Sequence, residues 1–240
     1  LIVAGAIVPH APVLLDGVGG VNAELVAPIR DAIASVRFPD ADVLVVLSPH
    51  GVATGVYSRA EGSLRGFGVP GQAFDAAVDR AVSDDLANAW GVGTLDDELD
   101  HGALVPLSIL KCGLPVVAAT LDEKLPIEAA IEGGSAFAEA LKDLDARVAF
   151  VASTNTSTGL TARAPLGLVE GAEDADRHLI ELLSNGIGDV ESVLRDVAAV
   201  GSSCGAGPLA AFTTLWPSDA QVLTYERPFG VGYLVAAARL

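Results

Sequence analysis

Basic residues are scarce in this chain. Its 240 residues carry 14 Lys and Arg against 31 Asp and Glu, a formal net charge of −17. No run of Lys or Arg occurs. Phosphate backbones are neutralised by clustered cations, so nucleic acid is not an expected partner. An anionic membrane surface is disfavoured for the same reason. Cysteine is nearly absent too: Cys112 and Cys204 are the only two. One disulfide is arithmetically possible, but no disulfide framework exists, and a reduced intracellular protein is the simpler expectation. No uncharged stretch has the length of a spanning helix, and the first apolar run has no basic flank. A cytoplasmic location without membrane association is the resulting expectation.

Familiar catalytic signatures are missing as well. There is no G-x-S-x-G elbow and no Walker A loop. The glycines of GVGG at 17–20 do not continue as a dinucleotide fingerprint. No cysteine–histidine spacing makes a structural zinc site. Ser48 ends an apolar run without evident Ser/His/Asp partners in sequence.

What is present is a repeated pattern. Residues 2–10 read IVAGAIVPH and residues 43–50 read VLVVLSPH. Each is an apolar run, then proline, then histidine. Continuous Val, Ile and Leu runs read as buried parallel strands. Pro9 and Pro49 are expected to end them, since proline donates nothing to a ladder. His10 and His50 then stand past the carboxyl ends of two strands, where open α/β sheets place ligands. Histidine is the commonest metal ligand and the usual acid–base residue near neutrality.

The rest of the chain alternates strand and helix. Helices are predicted near 21–36 (Leu25, Ile29, Ile33 and Val36 in spacing), 72–90 (Phe74, Val78, Val82, Leu86), 102–111, 127–143, 171–185, 189–199 and 206–215. Strands are predicted at 2–8, 42–47, 114–121, 147–153, 220–226 and 231–239. Residues 51–70 read as a hairpin or a mobile flap near His50, and STNTSTGLT at 153–161 as a polar loop. The sum is one α/β domain over 1–240, a sandwich with helices on both faces of a mixed, largely parallel sheet.

Each candidate site residue has two readings. His10 and His50 could share one metal ion if their strands are neighbours, or be two hydrogen-bonded loop histidines. His101, opening a buried helix, could orient a ligand or move a proton, or cap the helix beside Asp100. Asp97, Glu98 and Asp100 read as a solvated acidic surface from which one carboxylate could face a cation. His178 reads as surface or packing. Glu226 could join a site or form an ion pair. Cys204 could be activated by a helix start or be inert.

Five segments together resemble the class III extradiol ring-cleavage dioxygenases, specifically the catalytic subunit-B-like proteins, a superfamily that also contains the Memo-like proteins. They are AGAIVPHAPVLL at 4–15, VVLSPHG at 45–51, DHGALVPLSIL at 100–110, ASTNTSTGL at 152–160 and CGAGPL at 204–209. The resemblance implies a three-layer α/β sandwich, Fe(II), O₂, a catecholic or phenolic substrate, and homo-oligomers. It makes His10 and His50 metal ligands and His101 a residue of the substrate pocket. Two departures accompany it. Thr158 stands where many relatives have an acid–base histidine, and threonine has no proton chemistry near pH 7. The segment GSSCGAGPLAAF at 201–212 lacks the carboxylate ligand of the dioxygenases and is closer to the Memo-like branch, which has a cysteine there. The third ligand is expected to be Glu226, an acid of 96–100, Cys204 or none. The resulting expectation is a metal-dependent dioxygenase-like enzyme with Fe(II), or with zinc. Its alternative is a non-catalytic relative that binds a small aromatic molecule or a protein.

Overall fold

The structure is a computed structural model, and it describes residues 1–69, 73–201, 203–217 and 220–239. The described residues form ten strands: β1 (Ile2–Val8), β2 (Val43–Gly51), β3 (Gly55–Tyr57), β4 (Ala60–Ser63), β5 (Ala73–Ala76), β6 (Gly93–Leu95), β7 (Val116–Asp122), β8 (Val148–Ser153), β9 (Gln221–Glu226) and β10 (Tyr233–Arg239). The helices are α1 (Ala23–Ser35), α2 (Arg80–Trp90), α3 (His101–Leu110), α4 (Ile127–Lys142), α5 (Ala172–Asn185), α6 (Val190–Ala199) and α7 (Ala206–Leu215).

Eight strands form one sheet in the order β6-β3-β7-β2-β8-β1-β10-β9. The central pairs β7–β2, β2–β8 and β8–β1 are parallel, whereas β10 and β9 add antiparallel strands at one edge. Alternation along β2 shows why its sequence is apolar throughout. Val43, Val45 and Leu47 enter one core with α4, α5, α6 and α7 residues, and Leu44 and Val46 enter a second core with α1 and α3 residues. A strand buried on both faces has no polar side to display. The three-layer sandwich expected from the sequence is therefore present.

Three local expectations need correction. β2 runs through Pro49 to Gly51. Its pairing with β8 stops at Leu47, and its pairing with β7 shifts between Ser48 and Gly51, so the missing N–H falls at a ladder irregularity. The helix expected near 72–90 begins only at Arg80. Asp79 accepts from the Val82 amide at 3.1 Å and caps it, while Phe74 lies on β5 and Val78 bridges Val116. Residue 72 of that expectation and residue 70 of the 51–70 segment lie outside the described residues. The described part of that segment holds β3, on the main sheet, and β4, which forms an antiparallel ribbon with β5. In α1, Leu25 is 54% exposed and the buried stripe runs through Val26, Ile29 and Ile33.

Candidate metal centre

β1 and β2 are not neighbours; β8 lies between them. β8 ends at Ser153, and its small side chain leaves room for the imidazoles of His10 and His50 to meet above it. Their ring centroids are 4.7 Å apart and nearly perpendicular. His101 opens α3, whose N-cap is Asp100; the Asp100 carboxylate accepts from the Ala103 amide at 3.1 Å. This cap brings a third imidazole to the same place, stacked on His50 at 4.1 Å and edge-on to His10 at 5.6 Å. Gly102 is obligatory here, because a Cβ on it would lie 2.2 Å from Ser48 Oγ and 3.2 Å from the His50 ring.

A proline sets the protonation pattern of this cluster. In an α-helix the N–H of residue 106 would bond the carbonyl of residue 102. Pro106 has no N–H, so the Gly102 carbonyl is left without that bond. Ser153 Oγ donates to it at 2.5 Å. The single hydroxyl proton is thereby committed, and Ser153 Oγ can only accept from His10 Nδ1, 2.8 Å away. His10 is held as the Nδ1–H tautomer, with the lone pair of Nε2 facing the cluster. That Nε2 lies 3.0 Å from His50 Nε2 and 3.2 Å from Cys204 Sγ. Fixing a ligating imidazole through its other nitrogen is how metal sites are commonly oriented.

The ring environment keeps all three histidines neutral at pH 7. Burial lowers His10 well below the ordinary histidine value, with the His50 and His101 charges adding to the effect. Burial also lowers His50, to about 4, with His101 contributing and Asp100 opposing. His101 is lowered by burial against the opposing charges of Asp100 and Glu123. Neutral imidazoles offer free lone pairs. One donor atom from each of His10, His50 and His101 lies within 4.8 Å of the others, close enough to surround one cation. The donor chemistry fits a first-row divalent ion.

None of the third-ligand candidates named from sequence joins this group of imidazoles among the described residues. Glu226 is exposed on the edge strand β9, and neighbouring Arg227 pairs with Glu173. Asp96 accepts from Ser58 and lies beside Arg59; Asp97 and Glu98 are exposed. Asp100 is no solvated surface acid. Besides its cap, it accepts from Ser48 Oγ, from Tyr57 OH at 2.8 Å and from Thr120 Oγ1 at 3.0 Å. Cys204 approaches His10, but its thiol is not activated. The residue is exposed at the surface while its sulfur faces inward among protein atoms, and that crowding raises it to about 11 despite the nearby start of α7. His178 is half-buried on α5, as expected.

The loop after β8 is anchored beneath the site. Asp176, 1% exposed, accepts from Thr156 Oγ1, the Ser157 amide, Ser157 Oγ and Tyr225 OH at 2.6–3.0 Å. This fixes Asn155, whose Oδ1 accepts from the His10 amide at 3.2 Å. Thr158 donates its amide to the Gly201 carbonyl at 2.8 Å. Sequence reasoning missed Ser153, Asn155, Tyr57 and Thr120 as parts of the site. Only Asp100 carried a readable signal, an aspartate directly before an apolar helix. A separate cavity of about 800 Å³ lies between α1, the carboxyl end of α3 and β5, and no histidine lines it.

Three imidazoles at the carboxyl edge of a mixed sheet invite comparison with known proteins. Residues 5–236 match the family model described as the catalytic LigB subunit of aromatic ring-opening dioxygenase. This chain belongs to the LigB family. Protein CA_C1420 of Clostridium acetobutylicum is 22% identical to this LigB-family chain over 259 residues, covering 95% of it and 55% of that protein. The chain thus spans about half the length of this curated relative. The crystal structure of the uncharacterized protein JW3007 from Escherichia coli K12 superposes with a TM-score of 0.67 at 17% identity, over 98% of this chain and 99% of that one. That likeness concerns the LigB fold alone.

Two outcomes follow from the cluster's geometry. Ser153→Ala releases the His10 tautomer and is expected to weaken Zn²⁺ affinity by about 10–100-fold, measured by calorimetric titration. The second concerns pH. Each folded-state histidine value lies below the ordinary 6.5, so the unfolded chain binds protons that the fold refuses. Stability is present above pH 6.5 and lost as pH falls toward the folded values. Urea midpoints of metal-free protein should decline from pH 7 to 5, and less so in His50→Gln. A flat profile in the parent chain contradicts the assignment.

Proposed function

We propose that this chain is a metal-binding LigB-family protein that holds a small phenolic or catecholic ligand without opening its ring. His10, His50 and His101 would hold the ion, with His101 as a third donor rather than the substrate-orienting group expected from sequence. The observation that carries the reading is a donor set of three neutral imidazoles, with Thr158 where an acid–base histidine would be needed. Imidazole donors suit zinc, iron, nickel and copper alike, so Fe(II) and Zn²⁺ both remain candidates. When bound, the ion supplies Lewis acidity toward a ligand oxygen. The chain supplies orientation: Ser153 holds His10, Asp100 holds the start of α3, and Phe67 lies edge-on to His101 at 6.1 Å. We place the protein, as one domain over 1–240, in a reducing cytoplasm as a homo-oligomer without nucleic-acid partners. Its acidity supports the absence of nucleic-acid partners, and its two free cysteines support the reducing compartment. Among the described residues no helix is long and apolar enough to cross a membrane.

The second reading is Fe(II)-dependent extradiol cleavage, which membership of a ring-opening dioxygenase family favours. Fe(II)-loaded protein mixed with a catechol series under O₂ separates the two. The expected result is a ligand-dependent change in the metal spectrum with no oxygen uptake. Oxygen uptake with ring-opened product, lost in His10→Ala, would overturn the first reading and establish the second.

A further inference from the structure

The cavity of about 800 Å³ between α1, the carboxyl end of α3 and β5 has a built shape. Leu14, Leu44, Leu64, Leu107 and Val116, all buried in one core, line it together with the half-buried Phe74 of β5. The β4–β5 ribbon stands outside the main sheet, yet it is fastened at both ends. On β4, a Cβ at Gly62 would lie 2.5 Å from Leu104 of α3, and the Glu61 carbonyl accepts from the Leu99 amide at 2.8 Å. Beyond β5, the Ala77 carbonyl accepts from the Val116 amide at 2.7 Å. Protein interiors are close-packed, with few voids larger than a water molecule. A fixed, leucine-lined space of this volume has the size and lining of a small-molecule pocket.

The charges around it are unbalanced. Asp16, Arg30, Asp31, Asp75 and Lys111 line the cavity. Asp16 and Arg30 pair with each other, which leaves one cation, Lys111, against Asp31 and Asp75. All three are exposed, and among the described residues none has a side-chain hydrogen bond or ion pair. We propose that this cavity is a second ligand site, separate from the imidazole cluster, for a small molecule with an apolar ring or chain and a protonated amine. The apolar body displaces water from the leucines, and the amine stays at the rim beside Asp31 and Asp75. The net charge of −17 also favours the approach of a cation over that of an anion.

The test is calorimetric titration of the full chain at low salt with 1-naphthylmethylamine, 1-naphthalenemethanol and 1-naphthaleneacetate, which share one apolar body and differ in charge. The amine is expected to bind tightest, by about five-fold or more over the acetate, the size of an exposed charge pair. That preference should vanish in the double variant Asp31→Asn, Asp75→Asn. Ala27→Phe on α1 and Ala76→Phe on β5 replace half-buried lining residues from two walls. Each should weaken binding of the amine and the alcohol alike while thermal scans remain parent-like. An acetate or alcohol that binds as tightly as the amine overturns the assignment of ligand class. Absence of saturable binding by all three, or amine binding that both filling variants leave at parent strength, overturns the site.

Discussion

Replacing His10 by alanine is expected to weaken Zn²⁺ binding by roughly 100- to 1,000-fold. Zinc bound by four protein ligands gains about 10–16 kcal/mol, or roughly 2.5–4 kcal/mol per ligand, on the order of a 100-fold loss or more for a removed ligand. His10 should fall at the upper end because it is the most fixed of the three. It is 1% exposed, its Nδ1 is bound to Ser153, and its amide is bound to Asn155. His50 and His101 are half-buried, and their stacked rings have more freedom to compensate. The order of loss is therefore His10→Ala above His50→Ala and His101→Ala. Equal and small losses in all three would mean that the cluster is a hydrogen-bonded network and not a site.

Gly134→Ala is expected to give a large loss of stability for a single added methyl. A Cβ at this position of α4 would lie 1.9 Å from the Gly207 carbonyl oxygen and 2.6 Å from its carbon, both backbone atoms of α7. Gly207 is itself confined, since its own Cβ would meet Leu121 at 2.1 Å and the Ala130 carbonyl at 2.7 Å. The two helices can only separate. Overpacking of this kind costs about 3 kcal/mol, while alanine returns roughly 1 kcal/mol of helix propensity. A net loss of about 2 kcal/mol lowers Tm by roughly 4–8 °C for a chain of this size. Gly133→Ala is the internal control. Its Cβ would meet only the end of the Leu121 side chain, at 2.9 Å, so it should be near neutral. Calorimetric scans of the two variants check the pair.

The parts of the fold that could be read in the sequence are those where burial on both faces forces one composition. β1, β2, β7 and β8 are dominated by apolar residues, chiefly Val, Ile, Leu and Ala, because helices cover both sides of them. The segment between β2 and α2 resisted reading for a different reason. β3, β4 and β5 are strands of three or four residues, too short for alternation to show. Phe74 and Val78 also happen to continue the helical spacing of Val82 and Leu86 backward past the Asp79 cap. The site divides in the same way. Histidines after Pro9 and Pro49 announce themselves, since few other residues at strand ends do their chemistry. The coupling from Pro106 through Gly102 and Ser153 to His10 was not legible, because it joins residues 51 and 143 positions apart. Asp100 was taken for surface because its sequence neighbours are acidic, although its own oxygens face Ser48, Tyr57 and Thr120.

The proposed site consists of three neutral imidazoles at the carboxyl edge of the sheet holding one metal ion. The most direct measurement is titration of metal-stripped protein with Fe(II), under anaerobic conditions, and with Zn²⁺, followed by elemental analysis of the recovered chain. The expected result is about one ion per chain bound at micromolar affinity or tighter, lost in His10→Ala and reduced in Ser153→Ala. Binding no tighter than millimolar, or binding that His10→Ala leaves intact, would contradict it.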